Sequence, residues 1–116
     1  MDGIEGKCVF LSGPMTGLPN WNKQAFAVAE NRLRAWGAVD VFNPARFIPE
    51  PGEEELRHEQ YMIRTLAELT KFGWKGGDWF NPLYDVLALL PGWEQSEGAK
   101  VERTVAEACG IEIIEL

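Results

Sequence analysis

The sequence predicts an α/β fold, a three-layer α/β/α sandwich on a four-stranded parallel sheet. Three observations predict it. Four short apolar runs rich in β-formers are spread along the chain. Between them lie stretches with helical periodicity, bounded by Gly, Pro and Asn. The resulting order, β-α-β-α-β-α-β, is the one that right-handed crossovers between parallel strands produce.

Each element has its own warrant. Lys7 to Ser12 (KCVFLS) reads as a buried strand, ended by Gly13-Pro14. Asn20 offers an N-cap for a helix from Trp21 to Trp36, with Phe26, Ala29, Leu33 and Trp36 at helical spacing and Gly37 as stop. Val39 to Phe42 is a second strand, closed by Asn43-Pro44. Phe47 to Glu54 is a Pro-rich, acidic connection. Glu55 to Thr70 reads as a second helix, with Leu56, Met62, Leu66 and Leu69 on one side. Lys71 to Leu83 breaks every periodicity, and its residues 72–83 form an aromatic insert. Tyr84 to Leu90 gives the strongest strand signal. Pro91 to Gln95 turns, Ser96 to Ala108 is a third helix stopped by Gly110, and Ile111 to Leu116 is the last strand. The whole is one Rossmann- or flavodoxin-like domain over residues 1–116, without internal repeat or linker.

Composition narrows the function. A net charge of −7 argues against a nucleic-acid binder, which needs a basic face. A small anion remains compatible, because backbone N–H groups at a helix start can hold it locally. Cys8 and Cys109 lack CxxC spacing and read as two buried, reduced thiols. His58 is the only histidine, so no His/Cys zinc site is expected, and no other metal or cofactor is called for. No signal peptide or membrane-length apolar run is present, so a soluble, cytoplasmic protein without membrane contact is expected.

Ligands of open parallel sheets bind beyond the carboxyl ends of the strands. Three segments leave strands there: Ser12-Gly13-Pro14-Met15-Thr16-Gly17, Asn43-Pro44, and Pro91-Gly92-Trp93 running into Ser96-Glu97-Gly98. The first is neither a P-loop nor a dinucleotide fingerprint. The third helix is sharper. At ~100° per residue, Gly98, Ala99, Val101, Val105, Ala106, Ala108 and Cys109 share one apolar side, and Glu102 falls in its middle. A carboxylate there is costly unless it is paired or faces a pocket. Glu102 leans toward the helix start, over Gly98, into the positive field of that end. Ser96 is a good N-cap and a candidate anion ligand. Pairing with an arginine such as Arg64 is the other reading.

Ser96-x-Gly98-x-x-x-Glu102 after an apolar strand resembles the signature of the nucleoside 2-deoxyribosyltransferase-like superfamily. The opening CVFLSGPMTG and the later LPGWEQSEGAKVE are most similar to short phage and bacterial members of unassigned function. The resemblance implies a nucleoside or nucleotide ligand and Glu102 as nucleophile on the anomeric carbon. Ser96 and Gly98 would hold the 5′ end or its phosphate, and Ser12, Gly13, Pro14, Met15, Asn43 and Trp93 complete the expected substrate site. Hydrolase or transferase action on an N-glycosidic bond is expected; binding without catalysis is the alternative. Relatives use a further Asp on the helix before the third strand, and here the matching place is Thr65. Glu59, Asp78 and Asp85 are imperfect substitutes, and Asp85 opens a strand at the wrong sheet edge. Relatives also lack the aromatic insert. Trp74, Trp79 and Phe80 would make either a lid over a base or a contact in a homodimer or higher homo-oligomer.

Overall fold

Strand β1 (Cys8–Ser12) forms the middle of a sheet whose order is β2-β1-β5-β6. Its neighbours are β2 (Asp40–Phe42) and β5 (Val86–Leu89), and β6 (Glu112–Glu115) closes the far edge. All three pairings are parallel, as expected. A computed structural model describes residues 3–47 and 57–116. Among these residues no helix is long and apolar enough to cross a membrane.

Alternate residues of each strand feed two cores, which makes the three layers. Val9, Leu11, Val41, Val86 and Ala88 pack with Phe26, Ala29 and Leu33 of α1 (Lys23–Ala35). Phe10, Leu87 and Leu89 pack on the opposite face with Leu69 of α2 (His58–Leu69) and Ala106 of α3 (Glu97–Ala108). The chain therefore reverses direction across the sheet between β1 and β5, where a ligand crevice opens in such folds.

Several local expectations are corrected. Asn20 does not cap a helix: Asn20, Trp21 and Asn22 are all left-handed, with φ of 50°, 56° and 61°, and α1 starts at Lys23. Asparagine tolerates this conformation, and the Asn22 side chain donates to the Pro14 carbonyl at 2.9 Å. The second helix starts at His58; its expected first residues, Glu55 and Leu56, lie outside the described residues, as does most of the acidic connection. Cys109, the C-cap of α3, is exposed, and Cys8 is half-buried. Val101 and Ala108 are exposed as well, so the buried stripe of α3 narrows to Ala99, Glu102 and Ala106.

The insert is a β-hairpin, not an irregular stretch. Strands β3 (Phe72–Lys75) and β4 (Asp78–Pro82) pair antiparallel through Gly76-Gly77, both with positive φ. Phe72 stacks on Phe80 at 5.0 Å between centroids, and Trp74 meets Trp79 edge-on at 5.6 Å. Lys75 pairs with Asp85, which also accepts from the Cys8 amide at 2.9 Å. This fixes the hairpin at the edge where β1 and β5 begin.

Candidate functional site

The site stands at the opposite edge, where the parallel strands end. Ser12 closes β1 and is wholly buried. Its hydroxyl donates to Glu102 Oε1 at 2.6 Å. Glu102 is 5% exposed. Arg64 does not pair with it; its guanidinium lies over the Phe47 ring, 4.3 Å from the centroid. Among the described residues no cation forms a salt bridge to Glu102. Burial pushes its carboxyl up to about 7, against the opposing hydrogen bonds of Ser12 and Thr65.

Glu102 opens into a cavity of about 400 Å³, a size suited to a small ligand. Gly13, Pro14, Met15 and Thr16 supply the wall that follows β1, and Pro44 the part that follows β2. His58, Tyr61 and Met62, on the first turns of α2, form a second wall. Gln95, Ser96, Glu97 and Gly98 close it at the start of α3. Gly13 is required by packing, since a Cβ there would meet Leu90 Cβ at 2.7 Å. Ser96 caps α3 by accepting from the Ala99 amide at 3.2 Å.

The walls are held by specific contacts. Tyr61 donates its hydroxyl to Met15 Sδ at 3.0 Å, joining α2 to the first loop. Burial, and then the Glu102 charge, raise the Tyr61 phenol above its ordinary range, so it stays neutral. Thr65, 1% exposed, stands one turn below Tyr61, and its hydroxyl reaches back to the Met62 carbonyl at 3.3 Å.

The expected residues are thus mostly brought together. Gly13, Pro14, Met15, Ser96, Gly98 and Glu102 line the cavity, and Ser12 holds Glu102 from behind. Two do not line it. Asn43 is turned away, donating to Glu30 at 3.1 Å and accepting from the Ala45 amide at 2.9 Å. Trp93 donates its indole N–H to Glu115 at 2.7 Å and lies under Arg103. The space over Gly98 is not empty either, because Met62 Sδ would meet a Cβ there at 3.1 Å. Glu59 is exposed on Arg57, Asp85 sits at the other sheet edge, and Asp78 starts β4, so none stands in for the missing Asp. No hairpin residue lines the cavity, which removes the lid reading of the insert.

His58, Tyr61 and Met62 were missed as site residues. A signal for them existed: a helix that follows a parallel strand must begin at the ligand edge, and positions one, four and five of it share a face. Among the described residues no cluster of three His, Cys, Asp or Glu is placed to hold a metal ion.

Fold and site define an α/β domain with a buried carboxylate at the floor of a pocket on the carboxyl edge of its sheet. Residues 7–115 match the family described as Domain of unknown function (DUF4406), and the chain belongs to that family. No curated protein and no solved structure matches it.

Proposed function

We propose that the protein processes the N-glycosidic bond of a nucleoside or nucleotide, as hydrolase or deoxyribosyltransferase, with Glu102 as nucleophile. One observation carries this reading. Glu102 is a buried carboxylate that faces a ligand-sized cavity and is oriented by Ser12, with no cation paired to it among the described residues. Glu30, the other buried carboxylate among them, is ion-paired to Arg34 and Arg46. An oriented, ionisable one beside a cavity suits attack on an oxocarbenium-like anomeric carbon, followed by transfer to water or another base. The resemblance of the Ser96-to-Glu102 segment to the deoxyribosyltransferase-like signature supports the same assignment. The test is release of free base from a panel of nucleosides and nucleotides, followed by chromatography. Release that disappears in Glu102→Gln, with the fold retained, is the expected result; no release from any compound overturns it.

One observation favours a second reading, binding without turnover. Thr65, beside Glu102, occupies the place where the resembled family carries an acid. Ligand-induced thermal stabilisation without product would establish it.

A further inference from the structure

The charge of the pocket narrows the substrate. Its lining contains two carboxylates, Glu97 and Glu102, and no lysine or arginine. Residues 1–2 and 48–56, outside the described chain, contain no lysine, arginine or histidine that could join it. At the start of α3, Ser96 satisfies the Ala99 amide, and Glu97 stands in the first turn, paired with Lys100. At the start of α2, Glu59 stands in the first turn, paired with Arg57. A phosphate brought here would meet the Glu102 carboxylate, with no guanidinium or ammonium in the lining to receive it.

Among the described residues, the pocket also lacks a buried proton donor for a leaving base. Besides Glu102, the inner titratable group is Tyr61, whose proton is directed to Met15 Sδ. His58 and Glu97 are exposed at the rim, and Glu97 is held by Lys100 at 2.9 Å. A neutral base departs as an anion unless it is protonated. A base that already carries a positive charge departs neutral and needs no acid.

Both observations lead to one substrate class. Resting on the N-glycosidase reading above, we infer that the site takes an unphosphorylated nucleoside whose base is cationic, such as an N-alkylated purine. The ligand supplies the positive charge that no described residue brings to Glu102. Its arrival favours the ionised carboxylate, so binding prepares the nucleophile. Tyr61 and the thioethers of Met15 and Met62 give the cation polarisable neighbours. The step balances. A Glu102 oxygen bonds to C1′ as the C1′–N bond breaks, and that electron pair neutralises the base. Water then attacks C1′, the ester bond returns its electrons to Glu102, and one proton passes to solvent.

The experiment uses matched probes: guanosine and 7-methylguanosine, each as riboside and 2′-deoxyriboside, with and without a 5′-phosphate. Base release is read by chromatography for the wild-type protein, with Glu102→Gln subtracted as background. The expected result is kcat/KM higher for the methylated, unphosphorylated compounds by about ten-fold or more over each counterpart. Equal or faster release from the neutral or the phosphorylated compounds overturns this inference and leaves the N-glycosidase reading standing. No Glu102-dependent release from any of them, or from the wider nucleoside panel, overturns both.

Discussion

The Ser12 hydroxyl donates to Glu102 Oε1 at 2.6 Å, tying the last residue of β1 to α3 across 90 residues of sequence. The bond favours the ionised carboxylate in a place where burial disfavours it. Ser12→Ala removes that support, so the Glu102 pKa rises beyond about 7. Each further unit leaves about ten-fold fewer ionised molecules at neutral pH. We expect base release to fall at neutral pH and to recover at alkaline pH, with the acid limb of the kcat/KM profile displaced upward. A loss equal at every pH would mean that Ser12 acts only through packing.

Glu102 also sets a dependence of stability on pH. Its carboxyl is raised from the ordinary 4.5 to about 7 in the folded protein. Between those values the folded state binds more protons than the unfolded chain, so stability falls as pH rises. The loss is complete above the folded-state value and amounts to about 3 kcal/mol. Glu102→Gln never ionises. The variant should match the wild type in mild acid and exceed its stability in mild base, as urea midpoints at the two pH values would show. Carboxylates with lowered pKa, Glu30, Glu68 and Asp85, act in the opposite sense and cancel in this difference.

The core strands were legible because both faces of β1 and β5 are buried, which leaves Val9 to Ser12 and Val86 to Leu89 almost without polar side chains. Glu102 was legible because a carboxylate at the centre of an apolar helical face breaks the period. The hairpin was not, because its aromatic residues are exposed and carry no inside-outside alternation; only Gly76-Gly77, between FGWK and DWFNP, marked the turn. Asn43 and Trp93 were placed at the correct edge, yet helical phase and strand order say nothing about which way a loop side chain turns. Asn43 turned toward Glu30, a second buried carboxylate that a Glu-Asn-Arg stretch of helix does not distinguish from a solvated one.

Glu30 joins α1 to the turn after β2. Its 5% exposed carboxylate accepts from Asn43 and Arg34 and pairs with Arg46. Burial alone would raise its pKa, but these partners outweigh burial and lower it. Glu30→Ala leaves the buried Asn43 amide without its acceptor, a cost of about 2 kcal/mol. Because Asn43 also fixes the Ala45 amide, the adjacent Pro44 wall of the cavity loosens. Chemical denaturation should show the stability loss, and KM should rise more than kcat falls. The contribution of the pair is present above the unfolded-state value of about 4.5 and is lost as pH falls through the lowered one, so the gap between variant and parent closes in acid.

Two glycines of the same cavity should respond in opposite ways to alanine. At Gly13 a Cβ would stand 2.7 Å from Leu90 Cβ, an atom fixed by the backbone on either side. Gly13→Ala must therefore move the loop or the end of β5, at a cost of about 1–3 kcal/mol. That same displacement carries Ser12 away from Glu102, so activity falls together with stability. At Gly98 the nearest atom is Met62 Sδ at 3.1 Å, the mobile end of a flexible side chain. Alanine is also favoured over glycine within a helix by about 1 kcal/mol. Gly98→Ala should leave thermal stability unchanged or slightly higher. Its methyl group pushes Met62 into the cavity over Glu102, so KM rises while the fold is retained. Thermal unfolding and steady-state kinetics on the two variants separate the cases: equal destabilisation by both would show that Met62 cannot yield, and unchanged kinetics in Gly98→Ala would place the substrate elsewhere in the cavity.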